Sequence, residues 1–276
     1  MPELPEVEII SRSLNEIVKG KTIASARLLR QRLAPDITPA SFARTLKSTT
    51  VNFVHRRGKH ILFDLSGGKT LIVHLRMSGR FSLLTSATAD PKFTHAVFYL
   101  DDETRLVFDD QRHFGLMKIV KTSELHEAKE LKKLAPEPFS DDFTVEYLQT
   151  TLNSSKRSLK EFLLDQTKVC GLGNIYAAEA MFGAKVHPAT LGFRVPKKKV
   201  APLYAAIRDV LRIAISHAEG LPVDPEDLEG GYFSGTGDSW MVYDRENEPC
   251  RNCDTPISRL RQGGRSTYFC HKCQKR

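Results

Sequence analysis

The spacing of apolar residues changes twice along the chain. Between residues 5 and 18 they recur at intervals of three and four, which predicts an amphipathic helix. Pro5 suits the first helical position, Glu6 complements the positive end of the helix dipole, and Gly20 can end the helix. From about residue 22 to residue 120 the pattern consists of short runs of Val, Ile, Leu, Phe and Thr, which predicts strands.

Two of these runs predict hairpins, one turning at Gly67-Gly68 and the other at Asp101-Asp102. Several short strands of this kind favour a sandwich or a barrel. Residues 131–143 are polar and rich in proline, and they predict an interdomain linker. Helical spacing returns from about residue 144 to residue 219, and a loop rich in Gly, Pro and Asp precedes a cysteine-bearing tail.

Composition and charge narrow the possible partners. The chain has 276 residues, of which 41% are hydrophobic, so it can form a buried core. Its net charge of +8 favours a polyanionic partner, either nucleic acid or an acidic membrane surface. No run approaches the ~20 apolar residues of a membrane span, and the first residues lack the features of a signal peptide. We therefore expect a cytoplasmic protein, in which cysteines stay reduced.

The tail contains two C-x-x-C pairs, Cys250 with Cys253 and Cys270 with Cys273. Two such pairs supply four thiolates for one tetrahedral metal ion, so we predict a single structural Zn²⁺. Iron–sulfur ligation and a redox pair are the alternatives. Arginines crowd the same segment, and a rigid turn that displays them suits phosphate binding.

Motifs along nearly the whole chain resemble those of bacterial formamidopyrimidine-DNA glycosylases. They are MPELPEVE at the start, HLRMSGRF, DDQRHFG and GLGNIY in the middle, and GGRSTYFCHKC near the end. The resemblance implies an α+β multidomain fold. Its parts are an N-terminal β-sandwich with flanking helices over residues 1–130, the linker 131–143, a helix–two-turn–helix domain over 144–220 and a zinc β-ribbon over 240–276.

The same resemblance implies a base-excision repair enzyme that works as a monomer. Such an enzyme binds duplex DNA between its two domains, removes oxidised purines (formamidopyrimidines and 8-oxoguanine) and then cleaves the strand by β- and δ-elimination. Pro2 is the implied nucleophile, because removal of Met1 would free its secondary amine. An α-amino group has a pKa of about 8, so part of it is unprotonated at neutral pH. Attack on C1′ would expel the base and leave an iminium ion that promotes elimination.

Further site residues follow from matching positions. The implied catalytic residues are Pro2, Glu3, Lys59 and Arg265. The implied DNA contacts are His74, Met77, Arg112, Phe114, Lys160, Asn174 and Tyr243. Met77, Arg112 and Phe114 would fill the gap left by an extruded base and hold its partner.

Several of these positions also have plain structural interpretations. Glu6, which could also face the pocket near Pro2, could simply be a first-turn helix acid, and His74 could be an ordinary strand histidine. Asn174 could act as a helix cap, and Met77 and Phe114 could be core residues.

The sequence also departs from the family pattern. Residues 218–240 form an acidic, proline-bearing stretch where the family has the loop that closes over 8-oxoguanine, so the lesion preference is open. Asp254 stands where a glycine is usual, and Phe93 where a histidine is frequent. Two other functions therefore remain as alternatives. One is an endonuclease VIII-like glycosylase for oxidised pyrimidines or hydantoins, and the other is a DNA-binding protein without catalysis.

Overall fold

The chain divides into two compact units, and the computed structural model describes residues 1–219, 224–225 and 240–275. Unit 1 comprises residues 1–132 with 218–234, and unit 2 comprises 133–217 with 235–276. The elements of unit 1 are α1 (Leu4–Val18), β1 (Thr22–Leu28), α2 (Pro39–Leu46), β2 (Thr49–Arg57), β3 (His60–Leu65), β4 (Lys69–His74), β5 (Gly79–Leu84), β6 (Thr94–Leu100), β7 (Arg105–Asp110) and β8 (Leu116–Lys121). Those of unit 2 are α3 (Val145–Asn153), α4 (Leu159–Leu164), α5 (Asn174–Gly183), α6 (Val200–Ala218), β9 (Ser258–Gln262) and β10 (Arg265–Phe269).

Helix α1 confirms the amphipathic pattern. Its buried side chains include Val7, Ile10 and Leu14, which lie on one face because they are three and four residues apart. The helix begins at Leu4, one residue earlier than predicted, so that Pro5 occupies the second helical position. This early start has a physical cause: the Glu6 carboxylate accepts the backbone N–H of Glu3 at 2.6 Å and so satisfies a free donor of the first turn.

The strands of unit 1 form an antiparallel sheet that folds over into a sandwich. The eight strands lie in the order β5-β7-β6-β1-β2-β3-β4-β8. Phe63 of β3 and Phe81 of β5 are far apart in this order, yet their ring centroids are 5.6 Å apart. The two halves therefore face each other across a shared apolar core. Both predicted hairpins are confirmed, since β3 pairs with β4 around Gly67-Gly68 and β6 pairs with β7 beyond Asp101-Asp102.

Helix α2 was not predicted from the sequence. The Thr38 hydroxyl accepts the N–H of Ser41 at 3.2 Å, and Pro39 occupies the first helical turn. Phe42 and Leu46, four residues apart, are buried, and Phe42 packs against Phe98 of β6. With only eight residues, α2 is too short to show a clear helical period against the surrounding strand pattern.

Unit 2 joins the four helices α3 to α6 to the β9–β10 hairpin. Helix α5 is almost entirely buried, and Ala178 and Phe182 on this helix pack against Val242 and Tyr268 of the C-terminal module. Residues 131–143 contain no helix or strand, and Phe143 at their end is buried against Tyr204 of α6. Within the described ranges, no helix has the length and apolar character needed to cross a membrane.

Candidate functional site

The start of α1 and the β2–β3 turn carry three of the predicted catalytic residues. Pro2 and Glu3 are both buried and immediately precede α1. The Arg56 guanidinium binds Glu8 of α1, with Nε 2.6 Å from Oε2, and so fixes the helix against the end of β2. Lys59 follows Gly58 in the two-residue turn between β2 and β3, and its side chain is also buried. Gly58 has φ 60°, a conformation that favours glycine.

His74, at the end of β4, lies beside this turn. Its ring contacts that of His60 edge-on, with centroids 4.7 Å apart, and its Nδ1 accepts the N–H of Arg76 at 2.9 Å. Burial lowers the pKa of His74 to about 2, and the nearby His60, Arg76 and Lys59 add to this effect. Burial likewise lowers the pKa of His60 to about 4. His74 is therefore neutral, with its Nε2 as the remaining donor.

Met77, Arg112 and Phe114 lie on two adjacent loops of unit 1. Met77 is 46% exposed and Phe114 is 45% exposed, so neither is a core residue. The Arg112 guanidinium lies over the Phe114 ring, 5.4 Å from its centroid. Arg76 and His113, which immediately precede Met77 and Phe114, have φ values of 58°, so each loop has a residue in the left-handed region.

One buried carboxylate, that of Asp110, holds both loops. Its Oδ1 accepts the Ser78 hydroxyl at 2.5 Å and the Arg112 N–H at 3.2 Å, while its Oδ2 accepts the Gly115 N–H at 2.6 Å. Burial opposes ionisation, but these donors outweigh it and lower the pKa of Asp110. Sequence reasoning assigned no role to Asp110. An acidic residue directly before a turn rich in N–H donors was the available signal.

Two glycines bring these loops close to the sandwich. A Cβ on Gly79 would lie 2.7 Å from the Phe108 ring, and a Cβ on Gly115 would lie 2.8 Å from it. Both distances are too short for a carbon contact. The glycines of HLRMSG and QRHFG are therefore required by the close packing of both loops on Phe108.

In unit 2, the turn before α5 brings Asn174 and Lys160 together. The Lys160 ammonium is fully buried and donates to the Asn174 carbonyl oxygen at 3.2 Å. The Asn174 carboxamide donates to the backbone oxygen of Ser266 in β10 at 3.1 Å. Asn174 is not the helix cap that the structural alternative offered, because Gly173 is the N-cap and Asn174 is the first helical residue. Its side chain is instead directed to the hairpin.

Arg265 is the first residue of β10 and lies at the tip of the β9–β10 hairpin. It pairs with Gln262 across the two-residue turn Gly263-Gly264, whose φ values are 53° and 77°. This turn requires positive φ at both positions, which glycine permits. The Arg265 side chain is exposed, and it lies in the same strand as Ser266, the partner of Asn174.

The four cysteines of the tail converge on one point. Their sulfur atoms all lie within 4.8 Å of one another, and the Cys253–Cys270 and Cys253–Cys273 distances are both 3.5 Å. Four thiolates around zinc at about 2.3 Å are about 3.8 Å apart, so the observed spacing fits a tetrahedral site. Hydrogen bonds from Thr255 lower the pKa of Cys253 to about 6, whereas burial and the neighbouring thiols raise the pKa of Cys273 to about 12.

Tyr243 packs against Tyr268 of β10, with ring centroids 5.4 Å apart. Its backbone N–H donates to Glu179 of α5 at 2.9 Å, and the N–H groups of Met241 and Val242 donate to the same carboxylate. Burial raises the pKa of Glu179, although the three N–H donors oppose the shift. Sequence reasoning also missed this residue. A single acid in the apolar run NIYAAEAMF was the signal that it has buried partners.

The departures from the family pattern have local consequences. Asp254 has φ 57°, a conformation that aspartate tolerates better than most non-glycine residues. Phe93 packs against His113, with centroids 6.1 Å apart, next to the loop of Phe114. Most of the segment 218–240, namely residues 220–223 and 226–239, lies outside the described residues. The expectation about the loop that closes over the lesion concerns these residues.

Comparison with known proteins agrees with this division of the chain. Residues 1–117 match the formamidopyrimidine-DNA glycosylase N-terminal domain, and residues 134–223 match the formamidopyrimidine-DNA glycosylase H2TH domain. Residues 247–276 match the zinc finger found in FPG and IleRS. The formamidopyrimidine-DNA glycosylase of Bacillus subtilis is 40% identical over 281 residues, which cover 99% of each chain. The chain belongs to the formamidopyrimidine-DNA glycosylase family.

Solved structures of this family have the same fold. The Lactococcus lactis formamidopyrimidine-DNA glycosylase in complex with N7-benzyl-Fapy-dG-containing DNA aligns with a TM-score of 0.91 at 30% identity, covering 100% of both chains. Its complex with abasic-site DNA aligns with a TM-score of 0.90, covering 99% of this chain and all of the other. These findings confirm the predicted fold class, with its sandwich, helix–two-turn–helix domain and zinc ribbon. They also confirm that the cysteine cluster is a site for one zinc ion.

Proposed function

We propose that this protein is a base-excision repair DNA glycosylase with lyase activity, which removes oxidised purines from duplex DNA. The observation that carries the proposal is the buried Pro2-Glu3 start of α1, held by Glu6, in a chain that aligns with a family member over 99% of both lengths. A DNA substrate also implies a location with the chromosome, in the cytoplasm of a bacterium. We also predict that the protein acts as a monomer.

The proposed nucleophile is the Pro2 nitrogen after removal of Met1. Attack forms a bond from this nitrogen to C1′ of the damaged nucleotide as the bond to the base breaks, and the base leaves with a proton. A proton from Glu3 to the ring oxygen opens the sugar and leaves an iminium ion. Loss of the C2′ proton to a base then expels the 3′ phosphate by β-elimination, and a second elimination releases the 5′ phosphate.

Four further residues support phosphate recognition in this proposal. In unit 1, Lys59 lies in the β2–β3 turn, and the neutral His74 packs beside that turn against His60, with Nε2 as its donor. In unit 2, the planar guanidinium of the exposed Arg265 can donate to two phosphate oxygens. Asn174 is the first residue of α5, and the N-terminus of a helix favours anions. Lys160 is too deeply buried for a surface contact, so we infer that it positions the Asn174 turn.

The exposed trio Met77, Arg112 and Phe114 fits the handling of an extruded base. An unbranched Met77 can fill the gap in the stack, and Phe114 can wedge between base steps. Arg112 can hydrogen-bond to the orphaned base of the opposite strand. Their exposure supports this role over a core role, because an apolar side chain nearly half exposed gains little from packing. Tyr243, which is anchored through Glu179, is proposed as a further contact to the DNA backbone.

Borohydride trapping on abasic-site DNA tests the proposal directly. The enzyme with Met1 removed should form a covalent adduct that mass spectrometry maps to Pro2, and Pro2→Gly should form none. An uncleaved N-terminal extension should also abolish trapping, whereas the same extension at the C-terminus is the matched control. Absence of an adduct with the wild-type enzyme would leave only the non-catalytic DNA-binding alternative. Excision rates across oxidised purines, pyrimidines and hydantoins would separate the purine enzyme from its endonuclease VIII-like alternative.

A further inference from the structure

Unit 2 contains a basic cavity that the proposed function does not use. Its volume is about 840 Å³, within the range of about 300–1,000 Å³ that is usual for small-molecule sites. It is lined by residues that follow α5, residues that precede α6 and the end of the zinc ribbon. Five of its lining side chains are cationic, and they are Lys185, Arg194, Lys198, Lys199 and Lys275.

These cations have no carboxylate partners in the described part of unit 2. The ion pairs found there involve other basic residues, namely Arg157, Arg212, Arg245 and Arg259. Lys199 donates to the backbone oxygen of Ala184 at 3.2 Å, which fixes its ammonium at the cavity wall. Several unpaired positive charges around one concave space raise the local concentration of anions. The electrostatics of the cavity therefore favour a ligand with more than one negative charge.

The frame of the cavity is rigid. Lys185 has φ 55°, in the left-handed region, and its N–H donates to the Phe182 oxygen at 2.9 Å. The adjacent Val186 oxygen accepts from Gln274 Nε2 at 3.0 Å, and Gln274 in turn binds the Cys270 N–H. The zinc ribbon therefore holds the backbone that presents Lys185. A preformed site of this kind loses little conformational entropy when a ligand binds.

The remaining lining provides apolar and polar groups. Val186, Leu191 and Pro196 offer apolar surface at the cavity wall. The Thr190 hydroxyl is buried and has no hydrogen-bond partner among the described residues.

We propose that this cavity binds oligophosphate, with two or more phosphate groups contacted by the lysines and Arg194. Lysine ammonium groups act as point charges for phosphate, and arginine adds a paired donor geometry. The phosphates could come from a free nucleotide or oligophosphate, or from the backbone of a nucleic acid. The chemistry is the same for both sources. The lining includes Cys273, a zinc ligand, but none of the five cations is assigned to the glycosylase reaction, so the proposal does not depend on that reaction.

Calorimetric titration of the zinc-loaded, full-length protein with inorganic triphosphate tests the site, with zinc content measured before and after. Lys185→Glu combined with Lys198→Glu should raise the Kd for triphosphate about tenfold or more, since each contact to a charged group contributes strongly. The matched control is Lys133→Glu with Lys156→Glu, two exposed lysines of unit 2 outside the cavity. It introduces the same change in net charge and should leave the Kd within about twofold of wild type.

A second arm distinguishes the source of the phosphates. If nucleic-acid backbone enters the cavity, the cavity variant should bind undamaged duplex DNA with a shallower slope of log K against log salt concentration. The change in slope should correspond to the loss of about two phosphate contacts, and the control should show no such change. A loss confined to triphosphate would identify a free oligophosphate. Should the glutamate variant fold poorly, Lys185→Gln with Lys198→Gln should show a smaller loss in the same direction. If neither arm distinguishes the cavity variants from the control, the proposal is overturned.

Discussion

The buried His60 and the half-buried His74 should make unit 1 sensitive to mild acid. Burial lowers the pKa of His60 to about 4 and that of His74 to about 2, from an ordinary value of 6.5. In the unfolded chain both rings take up protons once the pH falls below 6.5, while the folded rings remain neutral. The unfolded state then binds more protons, so the free energy of unfolding falls as the pH decreases from 6.5 towards these folded values.

The size of this loss follows from the two shifts. At about pH 5 the unfolded rings are about 1.5 pH units below their pKa, and each unit corresponds to about 1.4 kcal/mol per group. Each histidine therefore removes about 2 kcal/mol of stability between about pH 8 and about pH 5, and the pair removes about 4 kcal/mol. This is a large share of the stability of an ordinary domain, which is about 5–15 kcal/mol.

Urea unfolding followed by far-UV circular dichroism at both pH values provides the measurement. His60→Gln and His74→Gln should each lose about 2 kcal/mol less than wild type on acidification, because the replaced ring no longer takes up a proton on unfolding. His126→Gln is the control, since His126 lies in the same unit with a side chain 74% exposed. Acid effects on the zinc ligands are common to all variants and cancel in the comparison. Equal acid sensitivity in wild type and both buried-site variants would refute the reasoning.

Three further outcomes are expected. Cys270→Ser should lose zinc and weaken DNA binding while unit 1 stays folded, and unchanged zinc stoichiometry by atomic absorption would rule out the ligand. Arg112→Ala should reduce discrimination between opposite bases by about 1–3 kcal/mol in excision kinetics, and an unaltered opposite-base profile would contradict its role. Asp110→Asn should destabilise unit 1 by about 1–3 kcal/mol and make both loops more sensitive to protease, because a strong acceptor of three donors is weakened. Wild-type protease resistance in that variant would argue against Asp110 as the organiser of the loops.

Features that obey local rules could be predicted from the sequence. The period of α1, the glycine turn of the β3–β4 hairpin and the spacing of the four cysteines each depend on residues close together in the chain. Such patterns retain their meaning without knowledge of the tertiary structure. The resemblance to a known family supplied the domain order and the candidate residues, which composition and charge alone could not supply.

Features that depend on distant partners could not be predicted in this way. Asp110 binds Ser78, which lies 32 residues earlier in the chain, and Glu179 binds a backbone segment more than 60 residues later. No period or spacing encodes such pairs. The hydrogen bond of Asn174 could not be predicted for the same reason, since its carboxamide finds a partner in β10, 92 residues away. Helix α2 was not predicted because it has only two buried residues, Phe42 and Leu46. Two residues do not establish a helical period within a region whose apolar pattern predicts strands.

The hydrogen bond between the Asn174 carboxamide and the Ser266 oxygen links the zinc ribbon to the turn before α5, so the position of this turn depends on the zinc ion. Ser266 stands four residues before the ligand Cys270, in the strand that the metal holds in place. Oxidation of a single ligand thiol would therefore loosen the strand that holds the Asn174 carboxamide. An oxidant that damages DNA would in this way also weaken the contact that the Asn174 turn makes with phosphate.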